Sequence, residues 1–114
     1  LAGFGVSSVV DRFAQIEPVL FIAADGYYYN GKTHTRLEEI DAVRKSLQSI
    51  RDTLLIDYTG AGKDVVQPGI TIYDTLVDGE QEDPVFEAVP FDHPLWILYS
   101  SGTTGAPKAI THSH

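Results

Sequence analysis

Two short, uninterrupted apolar runs stand on either side of an amphipathic stretch, and that order restricts the fold of this 114-residue chain more than any other feature. The first run is residues 19–24, from Val19 through Leu20, Phe21 and Ile22 to Ala24. The second is residues 53–58, centred on Leu54, Leu55 and Ile56. The first is continuous, the pattern of a strand covered on both faces, and the second reads as another apolar strand. Between them Leu37, Ile40, Val43, Leu47 and Ile50 recur at helical spacing and form one apolar stripe. Strand, helix and strand joined by short links make a βαβ unit with parallel strands. The pattern predicts an α/β fold: parallel strands with flanking helices, a slice of a larger layered domain.

Smaller signals place the remaining elements. Val6, Val9, Val10, Phe13 and Ile16 mark an earlier helix, which Pro18 ends. Asp25 and Gly26 turn the chain after the first run. Tyr27, Tyr28 and Tyr29 precede Asn30-Gly31, a tight-turn dipeptide, and are expected to pack at a sheet edge. Thr35 with Glu38 three residues on reads as a capping box that opens the second helix. A short helix is expected over residues 72–77, and residues 95–99 (Leu-Trp-Ile-Leu-Tyr) read as a third buried strand.

Charge and composition exclude several functions. Eight Lys and Arg against sixteen Asp and Glu leave a net charge of −8, which disfavours binding to nucleic acid or to a membrane surface, both polyanions. Six of the acids (Asp78, Glu80, Glu82, Asp83, Glu87, Asp92) lie within residues 78–92 without a base. They read as a solvated loop that Pro84, Pro90 and Pro94 keep extended. No apolar run is long enough for a membrane span. The absence of cysteine removes disulfides and thiolate chemistry. His93, His112 and His114 have no cysteine or carboxylate at ligand spacing, so no metal site is expected. The chain begins at Leu1 and contains no methionine, and it is expected to be a piece of a longer protein.

The chemistry concentrates directly after the third run, in Ser100, Ser101, Gly102, Thr103, Thr104, Gly105, Ala106, Pro107 and Lys108. Gly102 and Gly105 allow positive φ and close approach of the backbone to a ligand. Turned amides in such a loop form an anion-binding concavity. The hydroxyls of Ser100, Ser101, Thr103 and Thr104 add donors without charge, Pro107 stiffens the exit, and Lys108 supplies a cation for phosphate oxygens. The nearest approach to the other phosphate loop, G-x-x-x-x-G-K-S/T, is Gly60-Ala61-Gly62-Lys63. It has Asp57 where the first glycine belongs and Asp64 in place of Ser or Thr.

Residues 100–108 resemble the phosphate loop of the adenylate-forming superfamily. Seven fixed positions would coincide by chance on the order of 10⁻⁹ per start position at average residue usage. Residues 4–18, 24–32 and 91–114 are, further, similar to acetoacetyl-CoA synthetases, including Ala109 after the loop lysine. The resemblance implies that residues 1–114 are part of the N-terminal AMP-binding domain of a cytoplasmic enzyme, ending just after the loop. Its implied partners are small-molecule substrates and the rest of the same polypeptide. The implied reaction joins acetoacetate to CoA through an acyl-adenylate, with ATP and Mg2+, releasing AMP and pyrophosphate.

The implied contacts to the ATP phosphates are Ser100, Ser101, Gly102, Thr103, Thr104, Gly105 and Lys108. In related acetyl-CoA synthetases the segment aligned with residues 29–32 presents arginines to the 3′-phosphate of CoA. Here Lys32 keeps a charge and Tyr29 replaces the other arginine, so Lys32 is the implied CoA contact, with Arg36 as a possible substitute. No catalytic residue is expected in the chain, because adenylation relies on positioning and electrostatic stabilisation. The chain alone is expected to show no turnover. An acetyl- or other short-chain acyl-CoA synthetase, and a non-catalytic chain that retains the loop, are the alternatives.

Overall fold

The computed structural model describes residues 4–79, 82–100 and 105–114. The chain divides into two units, Leu1–Glu80 and Gln81–His114. In the first unit the elements run α1 (Val6–Phe13), β1 (Leu20–Ala24), β2 (Gly26–Tyr29), β3 (Lys32–Thr35), α2 (Leu37–Ser46), β4 (Asp52–Ile56), β5 (Ile70–Ile72) and α3 (Tyr73–Val77). In the second, β6 (Pro94–Ser100) is followed by β7 (Lys108–Ser113).

The βαβ unit forms as expected. β1 and β4 pair in parallel, with Leu20 opposite Asp52 and Ala24 opposite Ile56. β5 adds in parallel on the far side of β4, giving the order β1-β4-β5. Three residues are too few to show a period, so β5 leaves no trace in the sequence pattern. Phe21 and Leu55 point into a core built with Val9 of α1 and with Ile40, Val43 and Leu47 of the α2 region. Burying a side chain of this kind contributes about 1.5–3 kcal/mol relative to exposure.

The expectation that the first apolar run is covered on two faces is corrected within this unit. Phe21 is 8 % exposed, whereas its neighbours Leu20 and Ile22 are 50 % and 56 % exposed. Among the described residues of this unit, α3, a five-residue helix, packs against β4 and β5. Its Leu76 lines a shallow recess with Leu20 and Leu54 but leaves Ile22 and Ile56 open.

The capping box is also corrected. α2 begins at Leu37, with Arg36 at its cap and no side-chain capping bond. Thr35 is the last residue of β3, opposite Gly26. The ladder fixes its backbone, so the local capping signal loses to strand pairing. The turn signal just before it holds. β2 and β3 form an antiparallel hairpin in which Asn30 and Gly31 both have positive φ, 49° and 72°, as a two-residue I′ turn requires. Gly31→Val should therefore lower stability by about 1–2 kcal/mol, read as a lower urea midpoint.

In the second unit residues 95–99 are a strand, but not a buried one in a parallel sheet. β6 pairs antiparallel with β7, Trp96 opposite His112 and Ser100 opposite Lys108. Trp96 is 59 % and Leu98 51 % exposed, because a two-stranded ribbon has no second layer to hide its apolar residues. Residues 82–92 contain no helix or strand and are exposed throughout, as the acidic-loop reading expects. Glu80 lies outside the described residues.

Candidate functional site

Ser100 ends β6 and Lys108 opens β7, and the two are partners in the ladder. The Ser/Thr/Gly-rich segment is thus the connection of a β-hairpin, with both of its ends fixed by strand pairing. Ser101, Gly102, Thr103 and Thr104 lie outside the described residues. Ser100 is half-buried, and Gly105, Ala106 and Lys108 are exposed within their unit. A Cβ placed on Gly105 would meet nothing within 4 Å.

Lys32 stands in the first unit. It opens β3 opposite Tyr29, beside the Asn30-Gly31 turn, and is exposed. Arg36 is engaged elsewhere. Its guanidinium pairs with Glu39 and donates from Nη2 to the Tyr27 hydroxyl at 2.8 Å, lying 5.1 Å from that ring's centroid. The bond to Glu39, then that to Tyr27, raises the Arg36 pKa, and the same contact with Arg36 lowers that of Glu39. Tyr27 also stacks on His34, with ring centroids 5.1 Å apart. Tyr28 meets Tyr58 edge to face at 5.5 Å, while Tyr29 is 70 % exposed, so the packing expected of the three tyrosines applies to the first two. A cleft of about 390 Å³ opens beside this cluster, bordered by Phe4, Val9, Phe21, Tyr27 and Arg36.

The most heavily bonded side chain here is one that sequence reasoning treated only as part of a turn. Asp25, directly after β1, is fully buried. Its Oδ1 accepts from the backbone N–H groups of Tyr58 (3.0 Å) and Thr59 (2.9 Å). Its Oδ2 accepts from the Thr59 hydroxyl (2.8 Å) and from the amides of Ala61 and Gly62 (both 2.9 Å). Burial pushes the carboxyl pKa up, but the bonds from Thr59, Gly62 and Tyr58 outweigh it and hold it below the ordinary aspartate value.

Residues 58–62 therefore do wrap an anion with turned amides, and the anion is the chain's own carboxylate. Gly60 supplies a φ of 86°. Gly62 sits tightly, since a Cβ would lie 3.1 Å from both Asp25 Cβ and Leu55 Cδ2, and either side chain would have to give by a few tenths of an ångström. The donors lie 33 to 37 residues away from Asp25, so no local signal could have revealed the arrangement.

Among the described residues no group of three His, Cys, Asp or Glu is placed to hold a metal ion. The rings of His93 and His114 have centroids 6.4 Å apart. No helix among the described residues is long and apolar enough to cross a membrane.

The family model described as AMP-binding enzyme matches residues 2–114. The chain belongs to the AMP-binding enzyme family. Within that family it is 47 % identical over 113 residues to the acetoacetyl-coenzyme A synthetase of Rhizobium meliloti (strain 1021), covering 96 % of this chain. It is 38 % identical over 117 residues to the acetoacetyl-CoA synthetase of Gallus gallus. The solved acetoacetyl-CoA synthetase from Streptomyces lividans superposes with a TM-score of 0.86 at 47 % identity, over 96 % of this chain and 16 % of that one. The chain spans 17 % and 18 % of the length of the two relatives.

Proposed function

We propose that this chain is part of the N-terminal AMP-binding domain of a cytoplasmic ATP-dependent acetoacetate–CoA ligase. A carboxylate oxygen of acetoacetate attacks the α-phosphorus of ATP, which arrives as its magnesium complex, and pyrophosphate leaves. The CoA sulfur then attacks the acyl carbon of the adenylate, and AMP leaves. Residues 100–108 grip the triphosphate. Lys108 supplies the cation, Ser100, Ser101, Thr103 and Thr104 the hydroxyl donors, and Gly102 and Gly105 the close backbone approach. Lys32 presents an ammonium to the 3′-phosphate of CoA, since Arg36 is held by Glu39 and Tyr27.

The observation that carries this reading is the 47 % identity to a synthetase of known fold, extending over 96 % of the chain and including both the βαβ unit and the loop hairpin. The test is turnover by the full-length protein, with acetoacetate and acetate compared. The ratio of kcat/KM should favour acetoacetate by about tenfold or more, the discrimination a pocket can draw from a substrate carbonyl and methylene. Equal or reversed preference would move the protein to another short-chain acyl-CoA synthetase. The 114-residue chain alone should form no acyl-CoA, because the adenine site, acyl pocket and remaining adenylation groups must come from the rest of the polypeptide. Mass spectrometry of a reaction containing all three substrates checks that directly.

A further inference from the structure

We propose that Asp25 is a positioning residue for the CoA-dependent half of this reaction. Its carboxylate holds residues 58–62 to the base of the β2–β3 hairpin and thereby sets where Lys32 meets the 3′-phosphate of CoA. The inference rests on the ligase reading above.

Asp25 sits where the C-terminal ends of the parallel strands β1 and β4 meet, the edge at which open α/β sheets bind ligands. It is a junction on three sides. Its N–H donates to Ile56 O (3.0 Å), tying it to β4. Its carbonyl accepts from Arg36 N (2.7 Å), which closes the base of the hairpin. Its side chain gathers the donors of residues 58–62. Four-residue strands joined by a two-residue turn hold no orientation of their own in water, so the hairpin's direction is set at its base.

The contact of Tyr28 with Tyr58 adds a second tie between hairpin and loop, and it depends on the loop staying where Asp25 holds it. A carboxylate suits this junction because both of its oxygens accept and neither donates. Asparagine has the same shape, but its amide would place a second donor among the amides that face Oδ2.

The experiment uses the full-length ligase and reads its two half-reactions separately. Asp25→Asn should raise KM for CoA on the order of tenfold, the usual size of a supporting-shell effect, while ATP–pyrophosphate exchange with acetoacetate stays within about twofold. The advantage of CoA over 3′-dephospho-CoA should shrink in the same variant, a change that general loss of stability does not produce. If Asp25→Asn does not fold, Thr59→Val removes one donor to Oδ2 and should raise KM for CoA by about threefold with the same shrinkage.

An unchanged KM for CoA, or a parallel fall in both half-reactions with the dephospho-CoA ratio intact, overturns the proposal. Lys32→Ala separates the two layers of the argument. If it leaves KM for CoA unchanged, the assignment of Lys32 fails. If it raises KM for CoA while Asp25→Asn and Thr59→Val do not, only the positioning role of Asp25 fails.

Discussion

Lys108→Ala in the full-length protein should, on the proposed ligase reading, lower ATP–pyrophosphate exchange by about 10²- to 10³-fold, the usual consequence of removing one preorganised donor from a site where charge develops. Lys108 is the only Lys or Arg in Gln81–His114. The other groups that the loop offers are hydroxyls and amides, which carry dipoles but no net charge. A leaving pyrophosphate accumulates negative charge, so the ammonium is worth more in the transition state than in bound ATP. The deficit should therefore fall mainly on the exchange rate and less on the KM for ATP. Lys108→Arg should recover part of the activity, because it keeps the charge but not the compact geometry. Unchanged exchange in Lys108→Ala would mean that residues 100–108 pack or connect rather than bind phosphate, the expectation of a non-catalytic chain.

What could be read from the sequence divides by range. Leu37, Ile40, Val43 and Leu47 announce α2 because their spacing is local, and the runs beside it announce β1 and β4 for the same reason. Asn30-Gly31 announces its turn because both residues tolerate the left-handed backbone that the turn imposes. Thr35 shows how a local signal is overruled: it could cap a helix, but pairing with Gly26 claims its backbone first. The runs at 19–24 and 95–99 look alike in sequence, yet β1 joins a three-stranded parallel sheet and β6 a two-stranded antiparallel ribbon. Apolar content specifies a strand without specifying its partner. Residues 100–108 stand out in sequence as an ordered pattern of residue types, while the ends of that segment became clear only as paired strand termini. The role of the Asp25 carboxylate was opaque because every donor to it comes from loop residues more than thirty positions away.

Asp25→Ala should cost about 3–4 kcal/mol of stability, the largest loss expected from a single side chain here. The substitution removes few apolar contacts. Its effect comes from the donors it strands: the amides of Tyr58, Thr59, Ala61 and Gly62 all turn toward a space that no longer holds an acceptor. Urea unfolding should show a lower midpoint at unchanged m, and amide exchange at these four positions should accelerate ahead of exchange in β1 and β4.

The pH dependence follows with a definite sign. The folded carboxyl titrates below its ordinary value, so the folded state binds fewer protons than the unfolded state through that interval. The contribution of Asp25 is present in full above the unfolded aspartate pKa of about 3.9 and is lost as the pH falls through the lower folded value. The unfolding free energy of the parent should therefore decline through that acid window more steeply than that of Asp25→Ala, and the gap between the two curves should narrow toward its lower end. Curves that stay parallel there would mean that the five donors hold the loop without needing the charge they surround.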